Sequence, residues 1–275
     1  MLDDLGVKSA AVRKGLEYEQ LIYNILLPFF GEDNLPESSA FNSLRPDIFV
    51  YNKRKSPIRI EIKANLGADY GEKAITIDEK TKKWVGVKAE LKNVRKKEFV
   101  QRLDELYLNI FEELNINEKI INSWKIPSTS FDADTLLEMI ENRELGRSLE
   151  YERILTKLEK GFDPYEQVTL ARNVQNHIIK YYNSLSVYYI QIKNRGFYRL
   201  GEDKYRINEK LRSVGYGNSI PRFRPSESRL ELRGKTSSSG LFRPVIRFKV
   251  SGLPKSNVSL EDTEFVHSLY KALWQ

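Results

Sequence analysis

The chain has 275 residues with no cysteine, two histidines and two methionines. Without thiols it has no disulfide, no Cys-ligated zinc and no thiolate nucleophile. With His177 and His267 as its only imidazoles, neither a His-rich metal site nor a Ser-His-Asp triad is expected. No apolar run reaches the length of about eighteen residues that would span a membrane. The opening MLDDLGVKSAAVRKG carries Asp3 and Asp4 and no apolar stretch, unlike a signal peptide, so a cytoplasmic protein is the expectation. P-loop, G-x-G-x-x-G and G-x-S-x-G patterns are missing too. Any catalysis is therefore left to carboxylates, lysines and a bound ion.

What the chain does have is charge, unevenly placed. The net charge is +7. Residues 191–255 hold 16 Lys/Arg against 5 Asp/Glu, and residues 79–97 hold 8 against 2. Residues 98–160 reverse the sign, with 8 basic and 14 acidic side chains. Segregated positive charge is what a face meeting a polyanion requires. Ten arginines fall in the late region (Arg195, Arg199, Arg206, Arg212, Arg222, Arg224, Arg229, Arg233, Arg243 and Arg247), and their planar fork suits bidentate contacts with phosphate or guanine. A set of solvated strand faces is the plainer alternative.

The most informative run is PDIFVYNKRKSPIRIEIK, residues 46–63. Ile48 to Tyr51 are all β-branched or aromatic, and Ile58, Ile60 and Ile62 alternate with Arg59, Glu61 and Lys63, so two strands are predicted. The polar, Pro-containing stretch from Asn52 to Pro57 reads as the loop of a hairpin. Closing it brings Asp47 opposite or diagonal to Glu61, where facing Cβ atoms lie roughly 4.5–5.5 Å apart. The isoleucines take the buried face, and Glu61 and Lys63 share the other. Two carboxylates and an ammonium on one side suit a hard divalent ion, which needs oxygen ligands. Such an ion activates water and neutralises charge on a phosphoryl group, while a lysine orients the water.

Pro46-Asp47, thirteen intervening residues and then Glu61-Ile62-Lys63 resemble the PD-(D/E)xK nuclease superfamily, most of all its Type II restriction endonucleases. The resemblance implies that Asp47 and Glu61 hold the metal, with the Ile62 carbonyl as a third ligand, and that Lys63 serves the attacking water. It implies Mg²⁺, with Mn²⁺ able to substitute. Lys14-Gly15-Leu16-Glu17-Tyr18-Glu19 is similar to the Lys-Gly-x-x-x-Glu of archaeal Holliday-junction resolvases, which adds Glu19 as a carboxylate near the metal. Ala68-Asp69-Tyr70-Gly71-Glu72 looks like a segment of some restriction enzymes and makes Asp69 and Glu72 further candidates. The Gln-x-x-x-Tyr element of RecB-like members is not reproduced, because Ile179 stands where Tyr is needed.

Around this hairpin, residues 9–30 are predicted as a helix capped by Ser9 and ended by Pro28 and Gly31. Ser38, Ser39 and Asn42 follow as weak phosphate contacts. A strand and a basic helix start are expected within 82–97, then helices over 97–123, 133–145 and 148–160. Pro164 suggests a helix from 163 to about 184, whose Gln175, His177 and Lys180 face the cleft, followed by a strand over 187–193. Beyond lie β-hairpins, loops at Gly215–Ser219 and Gly234–Gly240, and a closing helix over 259–273 capped by Ser259.

The expected fold class is thus mixed α/β, an αβββαβ core carrying a helical insertion and a β-rich DNA-binding region. The segments are 1–97 and 161–194 for the core, 98–160 for the acidic insertion and 195–275 for recognition. Lys193, Arg195, Arg199, Arg222, Arg224, Arg229, Arg233, Lys235, Arg243 and Arg247 are the candidate DNA contacts. The expected activity is Mg²⁺-dependent cleavage of double-stranded DNA at specific sites by a homodimer, with a cognate DNA methyltransferase as partner. A structure-selective nuclease and a non-catalytic DNA-binding protein are the alternatives.

Overall fold

The computed structural model describes residues 10–36, 47–78, 81, 83–87, 94–123, 167–236 and 242–274. In chain order these form α1 (Ala10–Phe30), β1 (Ile48–Tyr51), β2 (Pro57–Lys63), β3 (Glu72–Ile77), β4 (Trp84–Gly86), α2 (Val94–Glu113) and α3 (Ile116–Ser123). Then come β5 (Val168–Arg172), α4 (Gln175–Ser184), β6 (Val187–Ile192), β7 (Gly196–Arg199), α5 (Ile207–Ser213), β8 (Glu227–Thr236), β9 (Phe242–Ser251) and α6 (Thr263–Trp274). The fold is mixed α/β with two sheets. Among the described residues no helix is long and apolar enough to cross a membrane.

Two compact units result, one of residues 1–68, 179–226 and 250–275, the other of 69–178 and 227–249. They cut across the segments drawn from charge and pattern. The basic stretch 195–275 is shared between both, and the division falls inside α4 and β9.

The first unit is built on a sheet of order β1-β2-β6-β7. The β1–β2 pair is antiparallel with Ile48 opposite Ile60, as the hairpin requires. Its loop is set by Asn52, whose side-chain oxygen accepts the N–H groups of Arg54 and Ser56, each at 3.0 Å. This local capping is what an asparagine at a turn supplies. β6 runs parallel to β2, and β7 returns antiparallel to β6. Ile58, Ile60 and Ile62 are buried while Arg59, Glu61 and Lys63 are only partly so, which is the period-two split read from the sequence.

Tyr18, Ile22, Leu26 and Phe30 recur every four residues along α1 and are all buried with those isoleucines. Each such side chain contributes on the order of 1.5–3 kcal/mol through burial. Phe265, Val266 and Leu269 of α6 join the same core. Pro28 does not end α1 but sits in its last turn, and Gly31 ends it at φ +68° with its N–H on the Leu27 carbonyl. That left-handed cap favours glycine because it has no Cβ. Ser9 lies outside the described residues.

Several expectations are corrected here. Residues 168–172 are a strand and not the first half of a helix: the β-branched Val168 and Thr169 flank buried Leu170, and β5 pairs with β8. Asn173 at φ 58° breaks the chain before α4 begins. The helix expected over 97–123 is two, parted at Asn115, φ 49°. α6 starts at Thr263 rather than 259, since Asp262 and not Ser259 accepts the first helical N–H, that of Glu264, at 2.9 Å. α5 interrupts a region expected to be all hairpins. Asp203 accepts the N–H groups of Ile207 at 2.9 Å and Asn208 at 2.7 Å, while Ile207 and Leu211 bury one face. β3 was hidden by the glycines before it. The helices expected over 133–145 and 148–160, with Ser38, Ser39 and Asn42, lie outside the described residues.

The second unit is an antiparallel sheet of order β4-β3-β9-β8-β5, with α2 and α3 burying Leu103, Tyr107, Ile110, Ile116 and Ile120. Inside it Arg247, 6% exposed, meets Gln167 at 2.9 Å, Glu231 at 3.1 Å and Asp69 at 3.3 Å.

Candidate active site

The carboxylates and the lysine singled out in the hairpin do converge in the first unit. Asp47 precedes β1, and the β1–β2 register continued by one pair sets it opposite Glu61. Its Oδ2 accepts the Ile62 backbone N–H at 2.7 Å. A strand residue directs its N–H and C=O to the same side, so the Ile62 carbonyl points the way Asp47 lies. Lys63 Nζ meets Glu61 Oε1 at 2.6 Å, with side chains 18% and 13% exposed. Burial of that degree keeps the pair from being an ordinary solvated strand face.

Electrostatics ties the group together. Burial raises the Asp47 carboxyl well above the usual range. Glu61 and then Glu19 add to the rise, against Lys63 and the Ile62 N–H. Burial alone would lower Lys63, but Glu61 and Asp47 more than offset it and hold its ammonium above the ordinary lysine range. Lys63 is therefore a cation here and not a base. Glu19 on α1 is 7% exposed, whereas Glu17 is exposed. Among the described residues, Asp47 and Glu61 thus share the Lys63 ammonium.

The donor set fits a hard ion in a specific way. Among the described residues no three His, Asp or Glu side chains gather closely enough to hold a metal, so Glu19 is a neighbour in the field and not a ligand beside Asp47 and Glu61. Two carboxylates with a backbone carbonyl are nevertheless what Mg²⁺ uses when substrate phosphate and water complete its shell.

Four tyrosines and glutamines escaped the sequence reading. Tyr182 of α4 brings its hydroxyl to 3.5 Å from Glu61, with the ring of the neighbouring Tyr181 5.1 Å from its own. Fully buried Gln191 donates to the Tyr18 hydroxyl at 2.9 Å and to Ser259 at 3.1 Å, and accepts the Leu260 N–H at 3.0 Å. Tyr18 in turn donates to Glu261 at 2.5 Å. The one visible signal was a glutamine inside the otherwise apolar Val187–Ile192.

The remaining candidates scatter. His177 is taken by Glu113 at 2.9 Å in the second unit. Asp69 is likewise in that unit, held by Lys249 at 2.7 Å, and Glu72 lies there on β3. Arg247 is corrected as a DNA contact, because a buried guanidinium with three partners is part of a core. Arg229 is tied to Glu227 and Glu231. Arg233 is half-buried on β8, and the side chains of Lys235 and Arg243 lie outside the described residues. In the first unit Lys193 is exposed with its ammonium 5.3 Å from the Tyr18 ring, and Arg195 donates to the Leu253 carbonyl at 3.1 Å. Arg199 donates to Gly201, and Arg222 and Arg224 are exposed. Compared with known proteins, the chain matches no family model, no curated protein and no solved structure.

Proposed function

We propose that the chain is a Mg²⁺-dependent endonuclease of the PD-(D/E)xK kind that hydrolyses double-stranded DNA at specific sites, as a Type II restriction enzyme does. The observation that carries this reading is Asp47, pinned by the Ile62 amide opposite a partly buried Glu61–Lys63 pair. Chain order supports it: α1, an antiparallel pair, then α4 leading into a strand parallel to β2. It departs from αβββαβ in that the next strand after Lys63, β3, joins the other sheet.

In this reading Asp47, Glu61 and the Ile62 carbonyl hold the ion, which when bound activates water and neutralises phosphoryl charge. Lys63 donates hydrogen bonds that orient the attacking water and stabilises negative charge as it develops. Tyr182 steadies Glu61, and Glu19 sharpens the local demand for a cation. Lys193, Arg195, Arg199, Arg222 and Arg224 of the same unit supply positive charge for the duplex. Two copies acting on a palindrome match the symmetry of such sites, and a methyltransferase of the same specificity would protect the host.

The test is a plasmid digest with and without Mg²⁺, with Asp47→Ala and Glu61→Ala beside the wild type. Discrete bands are expected, falling on the order of a thousandfold in rate in either variant while DNA binding persists. Metal-dependent cleavage retained by either variant rules the assignment out. A structure-selective nuclease is the second reading, favoured by the buried Glu19 in its Lys-Gly-x-x-x-Glu setting. Cutting confined to branched DNA would establish it.

A further inference from the structure

On the edge strand β7 of the first unit a groove of about 380 Å³ is lined by Arg199, Arg222, Arg224 and Lys255, with Tyr198 and Pro254 beside them. No Asp or Glu occurs among the described lining residues. Other arginines meet carboxylates, as at Arg206–Glu209 and Arg229–Glu231. Here Arg222, Arg224 and Lys255 have no ion pair or side-chain hydrogen bond with another described residue.

The groove is built by the backbone. The Arg199 N–H donates to Pro221 and its carbonyl accepts from Phe223, each at 2.9 Å. This extends the segment 221–224 along β7. Phe223 is wholly buried, so alternation turns Arg222 and Arg224 together to the opposite side. Arg199 is oriented by its bond to the Gly201 carbonyl, and its Nε is buried without a partner. The Tyr198 hydroxyl is already engaged with the Arg195 and Pro254 carbonyls and the Ser256 N–H. It serves as wall and not as donor.

We infer that this groove is a phosphate site, taking a backbone phosphodiester of a nucleic acid strand. Four cations without a counter-charge select an oxyanion, and guanidinium forks suit its geometry. Arg199 pairs with Tyr189, and Tyr189 with Ile60, so the groove stands two strand spacings, about 10 Å, from β2 and on the sheet face opposite Glu61 and Lys63. The inference takes only the nature of the polyanion from the proposed function.

Binding of a short fluorescein-labelled duplex in EDTA, followed by anisotropy between about 50 and 200 mM salt, tests it. Arg222 and Arg224 are exposed, so Arg222→Gln/Arg224→Gln should fold, as circular dichroism will verify. The slope of log K against log salt should shrink by about one per lost contact, about two in the double variant. Arg206→Gln, removing an arginine already paired with Glu209, should leave the slope as it was. An unchanged slope in the double variant, or an equal loss in Arg206→Gln, overturns the inference. So does a mononucleotide that binds as tightly as the duplex and depends on the same two arginines. Cleavage that survives in Asp47→Ala would sink the proposed chemistry and leave the groove standing; an unaltered slope would do the reverse.

Discussion

The two units treat buried carboxylates in opposite ways. In the second, Glu231 and Asp69 are met by Arg229, Arg247 and Lys249, with Gln167 donating to Glu231 at 2.7 Å. Cations there at least equal anions, so the network is closed and structural. In the first, Asp47 and Glu61 share Lys63 among the described residues, and burial, with Glu61 adding to it, drives the Asp47 carboxyl up. The contrast separates ion pairs that hold a fold from a pair of carboxylates that share one ammonium among the described residues.

The comparison can be broken from either side. Arg247→Met should cost about 3 kcal/mol or more, because Glu231, 1% exposed, keeps its charge and loses a partner. Urea unfolding measures this, and an unaffected midpoint would mean the network is not the closed pair described. Next in size is the response to Mg²⁺. At a hundred times its dissociation constant the ion should stabilise the wild type by about 2.7 kcal/mol, a gain absent in Asp47→Asn and Glu61→Gln when followed by thermal shift. Equal shifts in all three proteins would place the ion elsewhere.

Gln191→Leu sharpens the contrast inside the first unit, where Gln191 is fully satisfied. Orphaning the Leu260 N–H, while Tyr18 keeps its bond to Glu261, should lower stability by about 1–3 kcal/mol, read from denaturant melts. The smallest effect is a gain. The Asp47 carboxyl has a raised folded pKa, so as pH climbs the native state must release a proton that the unfolded chain lost at lower pH. Wild-type stability without metal therefore falls as pH rises through that folded pKa. Asp47→Asn removes the penalty and should raise Tm by roughly 2–4 °C at neutral pH, about 1 kcal/mol in a chain this size. The gain should vanish well below the ordinary Asp pKa of about 3.9. Melts across pH in EDTA decide it, and a constant or negative difference would contradict the picture.

Local patterns were legible where neighbours in sequence are neighbours in space. The hairpin around Asn52, its buried isoleucines and the meeting of Asp47 with Glu61 and Lys63 all follow from a period of two and one short turn. Helix α1 was equally plain, apart from Pro28, which sits in its last turn and does not end it. Strand β5 was misjudged because Pro164 and a loosely helical stripe outweighed Val168 and Thr169, and only pairing with β8 settles the matter. Arg229 and Arg247 looked like every other arginine of the basic stretch, since composition says nothing of burial.

From its sequence alone the chain determines a cysteine-free α/β protein with a charged hairpin whose carboxylates must share one face. Tertiary structure decided which arginines are core and which are surface. It brought Glu19 and Tyr182 to the hairpin from segments 28 and 121 residues away from Asp47 and Glu61 in the sequence, the former raising Asp47, the latter meeting Glu61 at 3.5 Å. It also drew Arg199 beside Arg222. The physical reason is that periodicity encodes only which face a residue takes, whereas long-range pairing and burial assign its partners.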